Sequence, residues 1–210
     1  MMPRPAPHRA DTKSRVIRQA ARTLFLAQGF AATTLDQVAA QAGVSKATIY
    51  ARYRQKEEIL GDVLTDLLEE WEAPQVQLPE MRSLAELRSA LLTLASQNTR
   101  HLMQPDVLRL VRMLIAEMNT QPELGELFVQ AVPQPLLAQT AALLQRAETA
   151  GLLRLPDPHL AARSFVGPLM SFVVLNGLLA RQPQPPSTGQ LGVMVDLCLH
   201  GLLHFGEDRS

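Results

Sequence analysis

The chain has 210 residues, balances 20 Lys and Arg against 20 Asp and Glu, and is 47% hydrophobic. That composition supports one large globular domain or two small ones and argues against disorder. Its single cysteine, Cys198, excludes an internal disulfide framework and a cysteine-based zinc cluster, and it suits a reducing cytoplasm.

Charge is divided unevenly along the chain. Residues 1–56 carry ten Lys and Arg against two acidic residues, Asp11 and Asp36, which is a formal charge of +8. Residues 57–210 hold the other ten basic residues against 18 acidic ones, which is −8. The division favours a polyanion as partner of the first part, although composition alone leaves an uneven surface charge as the alternative.

The first ten residues combine prolines with Arg4 and Arg9. No apolar run follows them, so we expect a flexible basic arm over residues 1–10 and no signal peptide. Such an arm either reaches along a DNA groove or is disordered.

Two helices are predicted before residue 43. Apolar pairs recur every four positions between residues 11 and 28 and predict the first helix, which Gly29 ends. Thr34 and Gln37 then form a capping box, in which each residue bonds the backbone amide of the other, and this box opens the second helix.

A glycine-containing turn joins the second helix to a third. Gly43 ends the second helix, and Ser45 caps a short helix that we expect to run from Lys46 to about Arg54. Two helices joined in this way are the helix-turn-helix arrangement of DNA-binding proteins. On a strongly basic segment, the arrangement predicts a DNA-binding domain over residues 11–56.

The remainder of the chain, residues 57–210, is predicted to be a larger helical domain with no strand. Its helices are expected over about 57–72, 84–103, 106–120, 123–151 with a break at Pro133 and Pro135, 157–180 and 188–204. The predicted fold class is therefore all-α, with an N-terminal three-helix helix-turn-helix DNA-binding domain followed by a larger helical ligand-binding and dimerisation domain.

The first part of the chain also resembles the TetR family of bacterial transcriptional regulators. The resemblance covers about residues 13–60, and it is carried at fixed spacing by Arg15, Ile17, Ala20, Ala21, Leu24, Phe25, Gly29, Phe30, Thr33, Thr34, Val38, Ala39, the run Ala42–Tyr50, Tyr53, Lys56 and Glu57. Tyr53 is a mild departure, because phenylalanine is more usual there. The resemblance implies a regulator whose two protomers form a four-helix bundle.

The third helix is the predicted recognition helix, and its N-terminal residues meet base edges in the major groove. Lys46 is expected to donate to guanine, and Ala47 to offer a methyl contact to thymine. Further DNA contacts, chiefly to phosphates, are expected from Thr34, Ser45, Thr48, Tyr50, Arg52 and Lys56. The resemblance implies the same positions. For any one of them alone, a solvated surface residue or a helix cap is the alternative.

Two C-terminal segments, residues 164–180 and 188–204, are apolar on all sides, which a monomer does not bury. A membrane span is disfavoured because the first segment is short and is diluted by Gly167 and Pro168. We therefore predict a homodimer held by Phe165, Leu169, Phe172, Val173, Met194, Leu199 and Leu202.

The central segment is rich in methionine and phenylalanine, which adapt to varied apolar shapes. We predict that a small hydrophobic or amphipathic effector binds among Met103, Leu110, Met113, Glu117, Phe128, Leu144, Phe165 and Met170. Further polar anchors are expected from Asn98, Arg109 and Gln139. For each apolar residue singly, an ordinary helix-bundle core is the alternative.

No enzyme, cofactor or metal site is predicted, since the sequence has no glycine-rich phosphate loop, nucleophile elbow or paired carboxylates. His200 and His204 have a ligand spacing, but no third ligand accompanies them and a helix C-terminus explains them more simply. The predicted function is a cytoplasmic, ligand-responsive transcriptional repressor that binds a palindromic operator as a dimer. The alternative is a DNA-binding dimer without an effector.

Overall fold

The computed structural model of the chain describes residues 9–70, 81–118, 122–155 and 157–207, and these residues contain helices and no strand. All but the last two residues of the predicted basic arm lie outside the described residues. The helices are α1 Arg9–Gln28, α2 Leu35–Gln41, α3 Lys46–Tyr50, α4 Lys56–Glu70, α5 Leu84–Leu102, α6 Pro105–Glu117, α7 Glu123–Ala131, α8 Pro133–Thr149, α9 Pro158–Phe172, the π-helical segment Val173–Leu178 and α10 Thr188–Glu207.

The fold divides into two compact units. The N-terminal unit comprises Met1–Glu70 with Arg112–Leu127, and the C-terminal unit comprises Trp71–Val111 with Phe128–Ser210. Helix α4 therefore lies in the N-terminal unit, where it packs against α1, whereas the boundary predicted from the sequence falls after residue 56.

The N-terminal unit is built around the apolar face of α1. Ile17, Ala21 and Phe25 are almost completely buried, as their four-residue spacing predicts. Gly29 ends α1 with a φ of 86°, a left-handed conformation that glycine adopts without strain. The chain then turns so that the ring of Phe30 packs 5.3 Å from that of Phe25.

Helix α3 ends at Tyr50, four residues earlier than predicted. The amide of Arg52 bonds the carbonyl of Ile49 at 3.0 Å, which tightens the last turn. Tyr53 then turns inward, where only 6% of it is exposed, and its hydroxyl bonds Asp62 of α4. The early end of α3 thus depends on a contact with α4 that local spacing does not specify.

The C-terminal unit has one large apolar core. Helix α8 packs against α9, and α5 packs against α10, which also contacts α9. Leu87, Leu144, Phe165 and Leu199 are among the buried residues that these helices contribute. The break predicted at the prolines is confirmed, because α7 ends at Ala131 and α8 begins two residues later at Pro133, with Val132 between them.

Helix α9 begins as predicted but ends early. Asp157 caps it by accepting from the amide of His159 at 2.7 Å, and Pro158 follows as its first residue. From Val173 the α-helix widens into a π-helical turn, in which Gly177 approaches α6 so closely that a Cβ there would lie 3.1 Å from Leu108 Cδ2.

Two helical segments, Glu123–Thr149 and Pro158–Leu178, are long and apolar enough to cross a membrane by length and composition alone. Core helices share those properties. In Pro158–Leu178 one face is built into the core of the C-terminal unit, where Phe165 and Leu169 are at most 3% exposed.

Candidate nucleic-acid interface

The helix-turn-helix is held in place by two N-terminal caps. The hydroxyl of Thr34 accepts from the amide of Gln37 at 3.2 Å, while the Gln37 side chain accepts from the amide of Thr34 at 2.8 Å, which confirms the predicted capping box. The hydroxyl of Ser45 accepts from the amide of Thr48 at 3.1 Å. Thr34 and Ser45 are both exposed, so the amino ends of α2 and α3 lie at the surface.

Helix α3 presents an exposed face and a buried anchor. Ile49 is completely buried, while Tyr50 is 53% exposed and Lys46 and Ala47 are also exposed. Thr48 is half-buried. The spacing on the helix therefore predicted correctly that Ile49 faces inward and that Lys46, Ala47 and Tyr50 are exposed.

Asp36, in the first turn of α2, makes the contacts that sequence reasoning missed at this surface. Its Oδ2 lies 2.6 Å from Lys46 Nζ, and its Oδ1 accepts from the Tyr50 hydroxyl at 3.4 Å. The hydrogen bond to Asp36, with its negative charge, raises the pKa of Lys46 above its ordinary value. A single carboxylate thus touches two of the residues predicted to contact DNA.

Two other predicted DNA contacts are engaged within the N-terminal unit. Lys56 Nζ donates to the carbonyls of Phe30 at 2.7 Å and Ala31 at 3.1 Å, and it lies 4.4 Å from the centre of the Phe30 ring. Arg52 donates to the Ser14 hydroxyl on α1. Lys56 therefore stabilises the turn that follows α1, and its contact with DNA remains a separate prediction.

A polar cluster joins α1, α4 and the segment after α3. Arg18 Nε lies 2.5 Å from Asp66 Oδ2, and the Tyr53 hydroxyl donates to Asp62 Oδ2 at 2.7 Å. Burial and the neighbouring Asp62 raise the pKa of Tyr53 to about 12. Asp62 and Asp66 are four residues apart and so lie on one face of α4, which was the sequence signal for these contacts. A phenylalanine at position 53, which is more usual, has no hydroxyl to donate to Asp62.

Most of the predicted interface residues lie in the core of the protomer itself. Five of them are at most 8% exposed, namely Phe165, Leu169, Val173, Leu199 and Leu202. The other two, Phe172 and Met194, are half-buried. The five buried side chains are therefore mainly core residues of the protomer, and their part in an interface remains a prediction.

A second apolar face of the same helices is exposed. Its members are 39–73% exposed, and they are Leu160, Val174, Leu175, Leu179, Val193 and Leu197. A groove of about 490 Å³ opens beside them between α9 and α10, lined mainly by apolar residues such as Leu160, Pro168, Met194 and Leu197. The four-residue spacing of Leu175 with Leu179, and of Val193 with Leu197, is the signal that sequence reasoning overlooked.

The predicted effector residues are divided between the units. Met113 and Glu117 belong to the N-terminal unit, and the other six belong to the C-terminal unit. Met103, Leu110, Leu144 and Phe165 are buried, whereas Met113, Glu117, Phe128 and Met170 are half-buried. The structure brings Leu144, Phe165 and Met170 together in one core, and the set as a whole remains a prediction.

Three buried side-chain oxygens in the C-terminal unit accept no hydrogen bond from any described residue: Gln97 Oε1, Asn98 Oδ1 and Gln139 Oε1. Asn98 is only 1% exposed, and its amide nitrogen donates to the Leu94 carbonyl at 2.7 Å, which fixes the oxygen in the interior. Buried acceptors without a donor are uncommon in folded proteins. Asn98 and Gln139 are also two of the predicted polar anchors for an effector.

Among the described residues, no group of three His, Cys, Asp or Glu side chains is arranged to hold a metal ion. His200 Nδ1 lies 2.7 Å from the Asp196 carbonyl one turn earlier on α10. The side chain of His204 lies outside the described residues.

Together, the capped α2–α3 pair, its exposed recognition face and the all-helical unit that follows define a helix-turn-helix regulator that binds DNA. Comparison with known families agrees. Residues 17–63 match the model of the bacterial regulatory proteins, tetR family, and residues 89–200 match the C-terminal domain of AefR-like transcriptional repressors. The chain therefore belongs to the TetR family of transcriptional regulators, which confirms the fold class and the resemblance found in the sequence.

Individual relatives are similar to this chain over most of its length. The helix-turn-helix-type transcriptional regulator YhgD of Bacillus subtilis is 27% identical over 71% of this chain and 76% of its own length. The flavonoid-responsive regulator FrrA is 29% identical, with a TM-score of 0.71 over 92% of this chain and 96% of its own. A TetR-family regulator from Pseudomonas syringae is 28% identical, with a TM-score of 0.67 over 93% and 97% of the two chains.

Proposed function

We propose that this chain is a cytoplasmic repressor that binds a palindromic operator as a homodimer and is released by a small hydrophobic or amphipathic effector. The observation that carries the proposal is the exposed face of α3, with Lys46, Ala47 and Tyr50 held on a buried Ile49 within a segment of charge +8. The repressor role is supported by the AefR-like repressor model that the C-terminal residues match.

Each protomer supplies one recognition helix, so a dimer reads two half-sites related by a two-fold axis. The ammonium of Lys46 donates to guanine O6 or N7, and the methyl group of Ala47 contacts thymine. Thr34, Ser45, Thr48 and Tyr50 contribute hydroxyls to the phosphates on either side, with Arg52 and Lys56 as neighbouring cations.

The exposed apolar face of α9, the π-helical segment and α10 supports association of two protomers. Leu175, Leu179 and Leu197 are 62–73% exposed, and an apolar patch of this kind is uncommon on a monomer. A two-fold axis lets the same patch cover itself, as in most homodimers. We therefore propose that this face, with the groove that Met194 and Leu202 line, carries the dimer contacts.

An effector with both apolar and hydrogen-bonding groups is supported by the buried acceptors of the C-terminal unit. The oxygens of Gln97, Asn98 and Gln139 accept from no donor among the described residues, and phenolic hydroxyl groups are donors that suit them. The similar regulator FrrA is named as flavonoid-responsive, and a flavonoid combines aromatic rings with such hydroxyls. We therefore assign the effector to hydroxylated aromatic compounds.

Selection of duplexes from a random library by the full-length chain tests the proposal. We expect a two-fold symmetric motif, and we expect Lys46→Ala to relax the base preference in each half-site. Arg82→Ala is the matched control, because it removes one positive charge from the C-terminal unit and leaves α3 intact. Failure to enrich any sequence contradicts the proposal. Enrichment with no compound able to release the protein favours the dimer without an effector.

A further inference from the structure

Asp36 is an acidic residue on a surface that we expect to meet a polyanion. Only Asp11 and Asp36 are acidic among residues 1–56. The Asp36 carboxylate lies 2.6 Å from Lys46 Nζ and accepts from the Tyr50 hydroxyl at 3.4 Å, and these two partners are one turn apart on α3. The Lys46 and Asp36 side chains are 71% and 45% exposed, so the pair lies on the outer side of the helix-turn-helix.

The Asp36 carboxylate affects the binding of Lys46 to phosphate oxygens and to guanine base edges differently. A phosphate oxygen is anionic, so Asp36 repels it and competes with it for the Lys46 ammonium. Guanine O6 and N7 are neutral, and an ammonium has three donors, so Lys46 bonds a base edge while it keeps its bond to Asp36. Asp36 therefore weakens the contact of Lys46 with phosphates, which occurs on any DNA sequence, more than its contact with a guanine edge.

We propose that Asp36 is a specificity-determining residue: it holds the Lys46 ammonium for neutral base edges and raises the cost of contact between that ammonium and the phosphate backbone. The inference rests on the proposed DNA-binding function and adds to it a device that suppresses non-specific binding. A structural role alone predicts a change in stability, yet exposed ion pairs contribute little to stability.

Substitution of Asp36 by asparagine in the full-length chain tests this role. Asparagine keeps an oxygen that accepts from Lys46 and removes only the charge. Two probes are used, the duplex that the wild-type chain selects and a scrambled duplex of the same composition. We expect Asp36→Asn to raise affinity for the scrambled duplex about fivefold for each protomer in contact, because the freed Lys46 ammonium gains one attraction to a phosphate near 4 Å in water. Affinity for the selected duplex changes little, so the ratio of the two affinities falls.

The salt dependence gives a second readout that a structural role does not move. With Lys46 released, one more phosphate is neutralised per protomer, so the slope of log affinity against log salt on the scrambled duplex becomes steeper by about 0.9 for each protomer, or about 1.8 for the dimer. Glu86→Gln is the matched control, because it changes net charge equally and keeps the acceptor that Glu86 Oε2 offers to the Arg82 amide at 2.7 Å.

A double-mutant cycle tests whether Asp36 acts through Lys46. In a Lys46→Ala background, Asp36→Asn is expected to lose most of its effect on the scrambled duplex. Should Asp36→Asn lower the melting temperature, Asp36→Gln is measured in its place, because glutamine also removes the charge, keeps an amide oxygen and favours a helix more than asparagine does. Equal tightening on both duplexes, or no tightening on the scrambled one, overturns the inference. A wild-type chain that binds neither duplex overturns the proposed function itself, before any Asp36 variant is made.

Discussion

Tyr50 and Tyr53 are the two tyrosines of the chain, and loss of the same hydroxyl group has different consequences at each. The Tyr53 hydroxyl donates to Asp62 at 2.7 Å in a buried position, whereas Tyr50 is 53% exposed and reaches Asp36 only at 3.4 Å. Tyr53→Phe should lower the free energy of unfolding by about 1–2 kcal/mol, because a carboxylate loses its donor. Tyr50→Phe should leave it unchanged and weaken binding to duplexes of every sequence. Urea unfolding of both variants makes the comparison, and equal losses of stability would contradict it.

The raised pKa of Tyr53 predicts that the stability contributed by its hydroxyl depends on pH in the alkaline range. Its pKa is about 12 in the folded chain, against an ordinary value of 10.0. A folded-state pKa above the unfolded one means stability that is fully present below about pH 10 and lost as the pH rises through about 12. The difference in melting temperature between the wild type and Tyr53→Phe should therefore shrink across that window. A constant difference would mean that the phenol is not held in its neutral form.

At the scale of residues, the sequence predicted correctly the contacts between residues that are close together along the chain. The Thr34 and Ser45 caps follow from the geometry of the first helical turn, which the next three residues determine. The contact of Asp36 with Lys46 and that of Lys56 with Phe30 join residues 10 and 26 positions apart. Only the packing of whole helices decides such pairs, so Lys56 was predicted to face DNA and its role in the turn was missed.

At the scale of elements, the π-helical segment after α9 brings Gly177 against α6. A Cβ at Gly177 would lie 3.1 Å from Leu108 Cδ2 and 3.4 Å from Met103 Cε, whereas a Cβ at Gly167 in α9 would meet nothing within 4 Å. We expect Gly177→Ala to cost about 1–2 kcal/mol through overpacking. Gly167→Ala should gain about 0.5–1 kcal/mol, since alanine favours a helix. Thermal unfolding of the pair measures the difference, and a gain from both would show that the segment accommodates a side chain.

Element ends were predicted where a local stop signal exists. The prolines in the first turn of α8 and the left-handed Gly29 after α1 are such signals, and the structure confirms both. The ends of α3 and α9 carry no such signal. They depend on the Tyr53 contact with Asp62 and on the approach of Gly177 to Leu108, which belong to the assembled units.

At the scale of the whole molecule, the exposed apolar face of α9, the π-helical segment and α10 determines the predicted oligomeric state. Leu175 is 62% exposed and Leu197 is 69% exposed, so glutamate at both leaves the core of the protomer intact. We expect this double variant to be a folded monomer in sedimentation, with weakened operator binding. Leu84→Glu, at the exposed start of α5, is the control that keeps the dimer. A double variant that remains a dimer would place the interface elsewhere.

The effector prediction also belongs to the molecule, since it couples the C-terminal unit to DNA binding. A hydroxylated flavonoid that raises the melting temperature should lower operator affinity about 5–150-fold. Gln139→Leu should abolish that stabilisation without destabilising the free chain, because it removes a buried acceptor that has no described donor. Gln145→Leu, exposed on the same helix, is the control. Stabilising flavonoids that leave operator affinity unchanged would rule out induction by this class.

Binding to a full palindrome and to a duplex with one half-site, measured over a range of salt concentrations, tests the central claim most directly. A dimer with two recognition helices should bind the palindrome more tightly, with a slope of log affinity against log salt about twice that for the half-site duplex. The Leu175→Glu and Leu197→Glu double variant should lose this preference. Equal affinities and slopes for the wild-type chain on the two duplexes would contradict two-fold recognition of DNA by this protein.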